Sequence, residues 1–199
     1  MRLKRQAQVG MRVKKNGDPP KGYREDKDGY LTPIDFQEFH DIPQDSLDVD
    51  ALKRGISMAE SLGGVLMMNP TSTATGLYGQ RYSEIKDDPR LKGYDRESFA
   101  RDLQKQDEIF NVRIEEGIGG PSLRKNAVDL TEEYASQLGD DWVYSLNDVA
   151  ALTNYLGRQG AREYFASIRD NEKYEVPGTN LHPEEYLEKF RRGSIAEIE

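Results

Sequence analysis

The amphipathic run that precedes residue 60 constrains the fold most, because it ends in a single carboxylate followed at once by small residues and a polar loop. Leu52, Ile56 and Ala59 fall at helical spacing, and Glu60 stands at the end of this run. An acid at a helix end beside glycine-rich chain can be half-buried facing a cleft. Because burial disfavours the charged form, such a glutamate stays protonated near neutral pH and serves as a general acid. We therefore take Glu60 as the candidate catalytic residue.

A polar loop follows this run and closes on a glycine-rich turn. Residues 69–75 read Asn-Pro-Thr-Ser-Thr-Ala-Thr, and residues 76–80 read Gly-Leu-Tyr-Gly-Gln. This order resembles the lytic transglycosylases and goose-type lysozymes of the lysozyme-like superfamily, whose signature is Glu-Ser at a helix end, a short loop and a Gly-Leu-x-Gln turn. Phage members often read Ala-Thr-Gly-Leu-Tyr-Gln, and in this chain the glutamine stands one position later, at Gln80.

A second segment resembles the same family. Residues 150–161 read Ala-Ala-Leu-Thr-Asn-Tyr-Leu-Gly-Arg-Gln-Gly-Ala, and phage lysozyme-like domains often carry a helix reading Leu-Ala-His-Phe-Leu-Gly-Pro-Gly-Gly-Ala at this distance. Asn154 occupies the place of that histidine, or of the tyrosine of other transglycosylases. Two interpretations stay open for this segment, namely a core helix with a glycine break, and a helix that also lines a cleft through Asn154 or Tyr155.

The resemblance implies a site and a reaction. Glu60 would protonate the glycosidic oxygen between N-acetylmuramic acid and N-acetylglucosamine in peptidoglycan, and then help the 6-hydroxyl close a 1,6-anhydro ring. The residues implied to line the glycan groove are Ser61, Thr75, Gly76, Leu77, Tyr78, Gln80, Asn154 and Tyr155. Glycoside hydrolysis usually needs a second carboxylate, and the nearest candidates, Glu84 and Asp87, are expected in solvent. A single-acid mechanism fits lytic transglycosylases, in which proximity within the sugar replaces the second catalytic group, and a lysozyme stays open as the alternative.

Composition bounds the fold class. The chain has 199 residues, of which 36% are hydrophobic and 32% charged, so we expect a mainly α protein. We predict two parts of the chain. Residues 1–44 form a largely extended N-terminal arm, and residues 45–199 form a lysozyme-like, transglycosylase-type helical domain. No apolar run reaches the roughly 20 residues of a membrane helix, and the N-terminus lacks the apolar core of a signal peptide. There is no cysteine and there are two histidines, so no metal or other cofactor is expected.

The N-terminal arm is basic, whereas the rest of the chain is acidic. Residues 1–25 hold eight lysines and arginines against Asp18 and Glu25, a net of +6, while the whole chain carries −8. The remaining residues therefore carry −14, which does not favour a nucleic-acid reader. The arm is expected to bind another protein of a virion, with contact to nucleic acid as an open alternative and a solvated arm as the simplest one.

Part of the arm is similar to half of a calcium-binding EF-hand loop. With Gly29 at the sixth place of such a loop, Asp26 and Asp28 fall on its third and fifth places. The first ligand would then be Arg24, a cation, and the twelfth would be Asp35 instead of a bidentate glutamate. An acidic turn is therefore favoured over a calcium site.

Seven helices are expected from periodicity and capping signals. They cover residues 46–60 with Ser46 as N-cap, 82–86, 96–116, 122–137, a run from a Ser145/Asp148 capping pair to a break at Gly157, 161–168 and 183–192. The buried side chains expected on the later helices are Phe99, Leu103, Phe110, Ile114, Val128, Leu130, Tyr134, Val149, Leu152, Tyr155, Leu156, Tyr186, Leu187 and Phe190.

Two functions follow as hypotheses. The first is a peptidoglycan-cleaving enzyme carried in the internal core or tail of a phage virion, acting in the host periplasm on the cell wall during genome ejection. The second is a non-catalytic structural or ejection protein that keeps a lysozyme-like fold as an interaction module. The displaced Gln80, Asn154 in place of histidine or tyrosine, and the basic arm favour the second.

Overall fold

The computed structural model of the chain describes residues 23–25, 31–33, 46–64, 67–68, 74–176 and 181–195. The chain divides into two units, residues 1–43 and 44–199. In the first unit, strands β1 (Tyr23–Glu25) and β2 (Leu31–Pro33) pair antiparallel, with Tyr23 opposite Pro33. The acidic turn predicted between these strands lies outside the described residues, as do most of the arm and the loop at 69–73.

The second unit is mainly helical, as predicted from composition. Its helices are α1 (Val49–Ser61), α2 (Tyr82–Ile85), α3 (Arg96–Arg101), α4 (Leu103–Glu115), α5 (Leu123–Leu138), α6 (Leu146–Arg169) and α7 (Pro183–Ile195), with short 3-10 turns at Pro89–Leu91 and Gly139–Asp141. Between α1 and α2, the two-residue strands β3 (Ala74–Thr75) and β4 (Gln80–Arg81) pair antiparallel around the Gly76–Gly79 turn.

Helices α1 and α7 cross closely because each presents a glycine at the crossing. A Cβ added to Gly55 would lie 2.5 Å from the ring of Phe190, and one added to Gly193 would lie 2.5 Å from Cβ of Met58. The Arg54 guanidinium also donates to the carbonyl oxygen of Ser194, at 3.2 and 3.3 Å. This crossing fixes the C-terminal helix against the helix that carries Glu60.

Two predicted helix boundaries are wrong for local reasons. Helix α1 is capped by Asp48 and not by Ser46, because the Asp48 carboxylate accepts from the backbone N–H of Ala51 at 3.0 Å. The helix predicted over 96–116 is divided at Asp102, whose backbone is extended and whose carboxylate caps α4 through the N–H of Lys105 at 2.9 Å. A polar residue inside an apolar period thus starts a new helix.

The prediction of the core holds for most positions and fails at two. Leu103 and Val128 are 56% and 37% exposed, because the division at Asp102 rotates Leu103 outward and Val128 stands on the outer face of α5. The predicted side chains that are fully or almost fully buried are Phe99, Phe110, Ile114, Leu130, Tyr134, Val149, Leu152, Tyr186, Leu187 and Phe190. Tyr155 and Leu156 are partly buried and pack against the same core.

Helix α6 begins and breaks where the sequence indicates. Ser145 and Asp148 form the expected capping box. The Ser145 hydroxyl oxygen accepts from the backbone N–H of Asp148, and the Asp148 carboxylate accepts from the backbone N–H of Ser145. The predicted break at Gly157 is present inside the helix, with φ 75° and ψ 166°, a left-handed conformation that favours glycine. Asn154 and Tyr155, just before this break, both contact Tyr186 of α7.

Among the residues that the structure describes, no helix combines the length and apolar character needed to cross a membrane. In the same part of the chain, no three His, Cys, Asp or Glu side chains are grouped as ligands of a metal ion.

Candidate active site around Glu60

Glu60 lies in the last turn of α1, at the point where the chain leaves the helix. Leu62 ends the helix in the left-handed conformation, with φ 52°, and its N–H bonds to the carbonyl oxygen of Ser57. The Glu60 side chain is partly buried. The helix end therefore presents one carboxyl group to the space between α1, the Gly76–Gly79 turn and α7.

Gly79 packs directly onto the Glu60 carboxyl group. A Cβ at this position would lie 2.6 Å from Oε2 of Glu60 and 2.9 Å from its Cδ. The backbone of Gly79 also has φ +59°, which side chains other than glycine rarely adopt. Steric space and backbone conformation both require glycine here, so the residue that displaces the family glutamine has a clear structural role.

The hydroxyl of Tyr186 on α7 donates to Oε1 of Glu60 at 3.1 Å. The ring of Tyr186 stacks on that of Tyr155, with centroids 4.1 Å apart and planes 3° from parallel, and the Tyr155 hydroxyl donates to the carbonyl oxygen of Leu181 at 2.9 Å. Burial raises the pKa of Tyr186 well above its ordinary value, Glu60 raises it further, and hydrogen bonding from Asn154 opposes this. Tyr186 thus stays protonated and acts as a fixed donor to the carboxyl group.

The surroundings of Glu60 favour its neutral form. Burial raises the pKa of Glu60 from 4.5 to about 7, and this outweighs the Tyr186 hydrogen bond and the charges of Arg113 and Arg81, all of which lower it. Within the described residues Glu60 has no ion pair closer than 4 Å. A carboxyl group that is about half protonated at neutral pH can give and take a proton in the same catalytic cycle.

A buried polar network holds the Gly76–Gly79 turn against α1 and α4. The hydroxyl of Ser61 donates to the carbonyl oxygens of Ser57 and Leu77, at 2.9 and 2.8 Å, and accepts from the N–H of Gly64. From α4, the Gln106 side-chain oxygen accepts from the N–H of Leu77 at 2.6 Å, and its nitrogen donates to two carbonyl groups at the end of α3.

Four residues predicted to contact sugar have buried side chains that support this turn. Ser61 and Thr75 are 0% and 1% exposed, and the hydroxyl of Thr75 accepts from Arg96 at 2.8 Å. The ring of Tyr78 stacks on Phe110 at 4.1 Å, and Gln80 is 1% exposed. These side chains are turned into the protein, where Ser61, Tyr78 and Thr75 form hydrogen bonds to described residues. As placed, they present no surface to a glycan.

Two buried amide groups near the site have unsatisfied atoms. Neither Oε1 nor Nε2 of Gln80 has a hydrogen-bond partner among the described residues, and the same holds for Oδ1 of Asn154. Buried polar atoms in native proteins are nearly always hydrogen-bonded, so such atoms mark places where a ligand or a change of state can supply the partner. Gln80 directly follows Gly79, and Asn154 adjoins Tyr186, so both lie next to groups that contact Glu60.

The structure thus brings together Glu60, Gly76, Leu77, Asn154 and Tyr155 around one turn. It adds Tyr186, Gly79, Gln106 and Arg113, which the sequence did not identify as site residues. Tyr186 was expected only as a core residue, and nothing local indicates a contact with a residue 126 positions away. Gln106 and Arg113 did carry a signal, since each is a polar residue at the spacing of the buried face of α4.

The candidate second acids are not placed beside Glu60. Glu84 is exposed and forms an ion pair with Arg81 at 3.1 Å, and Asp87 is exposed. Among the described residues, no carboxylate contributes to the pKa shift of Glu60. The arrangement therefore offers one acid, one fixed hydroxyl donor and two neighbouring cations.

Comparison of the chain with models of known protein families, with curated proteins and with solved structures gives no significant match.

Proposed function

We propose that the protein is a peptidoglycan-cleaving lytic transglycosylase in which Glu60 is the single catalytic acid and base. The observation that carries the proposal is the Glu60 carboxyl group, held at a helix end by Tyr186, with a pKa raised by burial to about 7. The order of the Glu60-Ser61 and Gly76-Leu77 motifs, which resembles that family, gives the substrate.

The two carboxyl oxygens of Glu60 take different parts. Oε1 accepts the hydrogen bond from Tyr186, and Oε2 lies against the backbone of Gly79 without a hydrogen bond to a described residue. Oε2 is therefore the oxygen from which a proton passes to the glycosidic oxygen between N-acetylmuramic acid and N-acetylglucosamine. Because the Tyr186 hydroxyl stabilises the carboxylate that forms, the same group can then accept a proton.

The absence of a second carboxylate beside Glu60, among the described residues, favours ring closure over hydrolysis. The ionised Glu60 would remove the proton of the muramoyl 6-hydroxyl while the oxygen of that hydroxyl attacks the anomeric carbon. The bond from this carbon to the protonated glycosidic oxygen breaks, and the N-acetylglucosamine leaves. The nucleophile is held within the sugar itself, so proximity replaces a second catalytic group. The product is a 1,6-anhydro muropeptide.

The resemblance to phage proteins supports a place in a virion, in the internal core or tail, from which the enzyme would act on the host cell wall in the periplasm during genome ejection. The basic residues 1–25 are the candidate contact with other virion proteins, with nucleic acid as an alternative.

The decisive experiment compares the Glu60→Gln variant with a matched control, Glu84→Gln, on purified peptidoglycan. Glutamine keeps the size and the hydrogen-bond acceptor for Tyr186 but cannot donate the proton, so we expect loss of at least about a thousandfold in the release of anhydro-muropeptides. Glu84 is an exposed acid near the same turn, and its variant should retain activity. Mass spectrometry distinguishes anhydro products from hydrolysed ones.

Three outcomes contradict the proposal. Undiminished activity of the Glu60→Gln variant removes Glu60 from catalysis, and hydrolysed products in place of anhydro products replace ring closure by hydrolysis. If the wild-type protein releases no muropeptide and binds no glycan strand, the protein is not an enzyme of this class.

The burial of Ser61, Thr75, Tyr78 and Gln80 favours a second candidate, a non-catalytic virion component that retains the domain as an interaction module. These side chains stabilise the turn and present no surface to a sugar. Under this alternative the Glu60→Gln variant assembles into particles as well as the wild type and the particles remain infectious, whereas under the first proposal they assemble but penetrate the cell wall poorly.

A further inference from the structure

We propose that Arg113 binds a carboxylate carried by the glycan substrate, so that the site selects anionic, muramoyl-containing strands over neutral ones. This inference rests on the proposed function and specifies its substrate.

One face of α4 supports the whole turn that covers Glu60. Gln106, Phe110 and Arg113 are four and three residues apart, a spacing that places them in one row along a helix. Gln106 accepts from the N–H of Leu77, and Phe110 stacks on Tyr78. Arg113 is the next member of the row, and it adjoins the site, since its charge acts on Glu60 and Tyr186.

Arg113 differs from the other two members because it lacks a partner. Its guanidinium has no hydrogen bond to any described residue and no carboxylate within 4 Å, although the side chain is partly buried. Burial is the main influence on the pKa of Arg113, which it lowers, and the charge of Glu84, which already pairs with Arg81, opposes this from beyond ion-pair distance. A cation that is partly withdrawn from water, and that has no partner among the described residues, is open to an anionic ligand. An anion from the substrate supplies that partner.

Arg81, the other cation near Glu60, already has an ion-pair partner. Arg81, at the end of β4, also lowers the pKa of Glu60, but it is exposed and already pairs with Glu84 at 3.1 Å. Among the described residues, Arg113 is thus the more buried of the two cations and the one without an ion pair. Because Glu60 must be protonated to act as the acid, it does not neutralise Arg113 at the moment when the substrate binds.

A carboxylate fits this position better than other groups of the substrate. A guanidinium binds carboxylates through two parallel hydrogen bonds, with both charge and planarity matched. The muramoyl residue carries a lactyl group at its 3-oxygen. This group ends in a free carboxylate on peptide-free strands, and on peptide-bearing strands it is amidated and the attached peptide provides the carboxylates.

The test uses three preparations of glycan strands, namely peptide-free strands, the same strands with the lactyl carboxylates converted to methylamides, and peptide-bearing strands. Binding to the Glu60→Gln variant measures recognition without turnover, and cleavage by the wild type measures the outcome. We expect peptide-free strands to bind at least about tenfold more tightly than their neutral methylamides. If peptide-bearing strands bind as tightly as peptide-free strands, then a carboxylate of the attached peptide also serves as the partner of Arg113.

Arg113→Gln should abolish this preference by weakening the binding of the anionic strands, while binding of the methylamide strands stays unchanged. Arg113→Lys, which keeps the charge but not the planar fork, should restore part of it. Arg81→Gln is the matched control, because it also removes a cation that acts on Glu60, and it should leave the preference intact. Activities are compared at the pH optimum of each variant, since both cations lower the pKa of Glu60.

If the wild type cleaves native and methylamide strands equally well, the inference is wrong while the proposed function stands. An anionic preference that survives in Arg113→Gln also overturns it. Failure of the wild type to cleave or bind any strand overturns both the inference and the proposed function.

Discussion

The charges between α5 and α6 and the charges around Glu60 are arranged in opposite ways. Across the two helices, Arg158 pairs with Asp129 at 3.1 Å and Arg162 pairs with Glu133 at 2.7 Å, all on the partly exposed surface. Around Glu60, this acid and Arg113 are both partly buried and have no ion-pair partner within 4 Å in the described residues. Only the second arrangement leaves charge available to a ligand.

The difference is visible in the carboxyl groups themselves. A hydrogen bond from Lys125 holds the pKa of Asp129 below its ordinary value, so this acid stays ionised. Burial does the reverse at Glu60 and raises its pKa to about 7. Exposed ion pairs contribute little to stability but also cost little, whereas a buried carboxyl group that must ionise costs the fold free energy. Ionisation of Glu60 therefore lowers the free energy of unfolding, whereas the ion pairs between α5 and α6 have little effect on it.

The largest effect is expected from Gly79→Ala. A Cβ would lie 2.6 Å from Oε2 of Glu60, and the φ of +59° is strained for alanine, so we expect a loss of roughly 2–4 kcal/mol in the free energy of unfolding together with loss of activity. Gly119→Ala is the control, because Gly119 has φ +68° but open space around it, and it should lose only about 1 kcal/mol. Equal losses in urea titrations of the two variants would show that Glu60 is not packed against the turn.

The next effect concerns stability against pH. Because the pKa of Glu60 is raised from 4.5 to about 7 on folding, its favourable contribution is complete below pH 4.5 and is lost as the pH rises through 7. We therefore compare the free energy of unfolding of Glu60→Gln with that of the wild type at each pH. The variant's advantage should be up to about 3 kcal/mol larger at pH 8 than at pH 4. Glu84→Gln is the matched control for removal of an acid on the exposed surface. A stability gain that is independent of pH would contradict the raised pKa.

The sequence reveals the parts of the site that are local and misses those that depend on packing. Helix α1, the acid at its end and the glycine turn follow from spacing and residue type, and so does the break at Gly157. The partner of Glu60 could not be predicted, because Tyr186 reaches it only through the close crossing of Gly55 and Gly193.

The predicted sugar contacts in the turn depend on how the turn packs. Its family resemblance indicates residues that line a groove, but the inserted Gly79 lies against Glu60 and Gln80 is buried beyond it. Which side chains face outward depends on how a turn packs on its support, here Gln106 and Phe110 of α4. Residue type and spacing within the turn do not contain that information.

A smaller effect is expected from Tyr186→Phe, which removes the hydroxyl that donates to Oε1 of Glu60 but keeps the ring stacked on Tyr155. Because this hydrogen bond lowers the pKa of Glu60, its loss should move the alkaline limb of the pH–activity profile upward by about 0.5–1 pH unit. Tyr155→Phe removes only the bond to Leu181 and should leave the limb in place. A downward shift in Tyr186→Phe would show that the hydroxyl does not stabilise the carboxylate.

The smallest effect is expected at the α5–α6 surface. Arg162→Gln breaks the pair with Glu133, and because both side chains are partly exposed to water, the free energy of unfolding should stay within the error of a urea titration at pH 5 and at pH 8. Activity should also be unchanged. A marked loss of stability in this variant would mean that the two surfaces are not as different as the comparison requires.

The pKa of Glu60 tests the account most directly, and carboxyl ¹³C NMR of the full chain measures it, with the Glu60→Gln spectrum identifying the resonance. Burial beside Gly79 and Tyr186 predicts a midpoint near 7 for Glu60. A midpoint near the ordinary value of 4.5 would show that the carboxyl group is solvated and ionised at neutral pH, and Glu60 could not then be the proton donor.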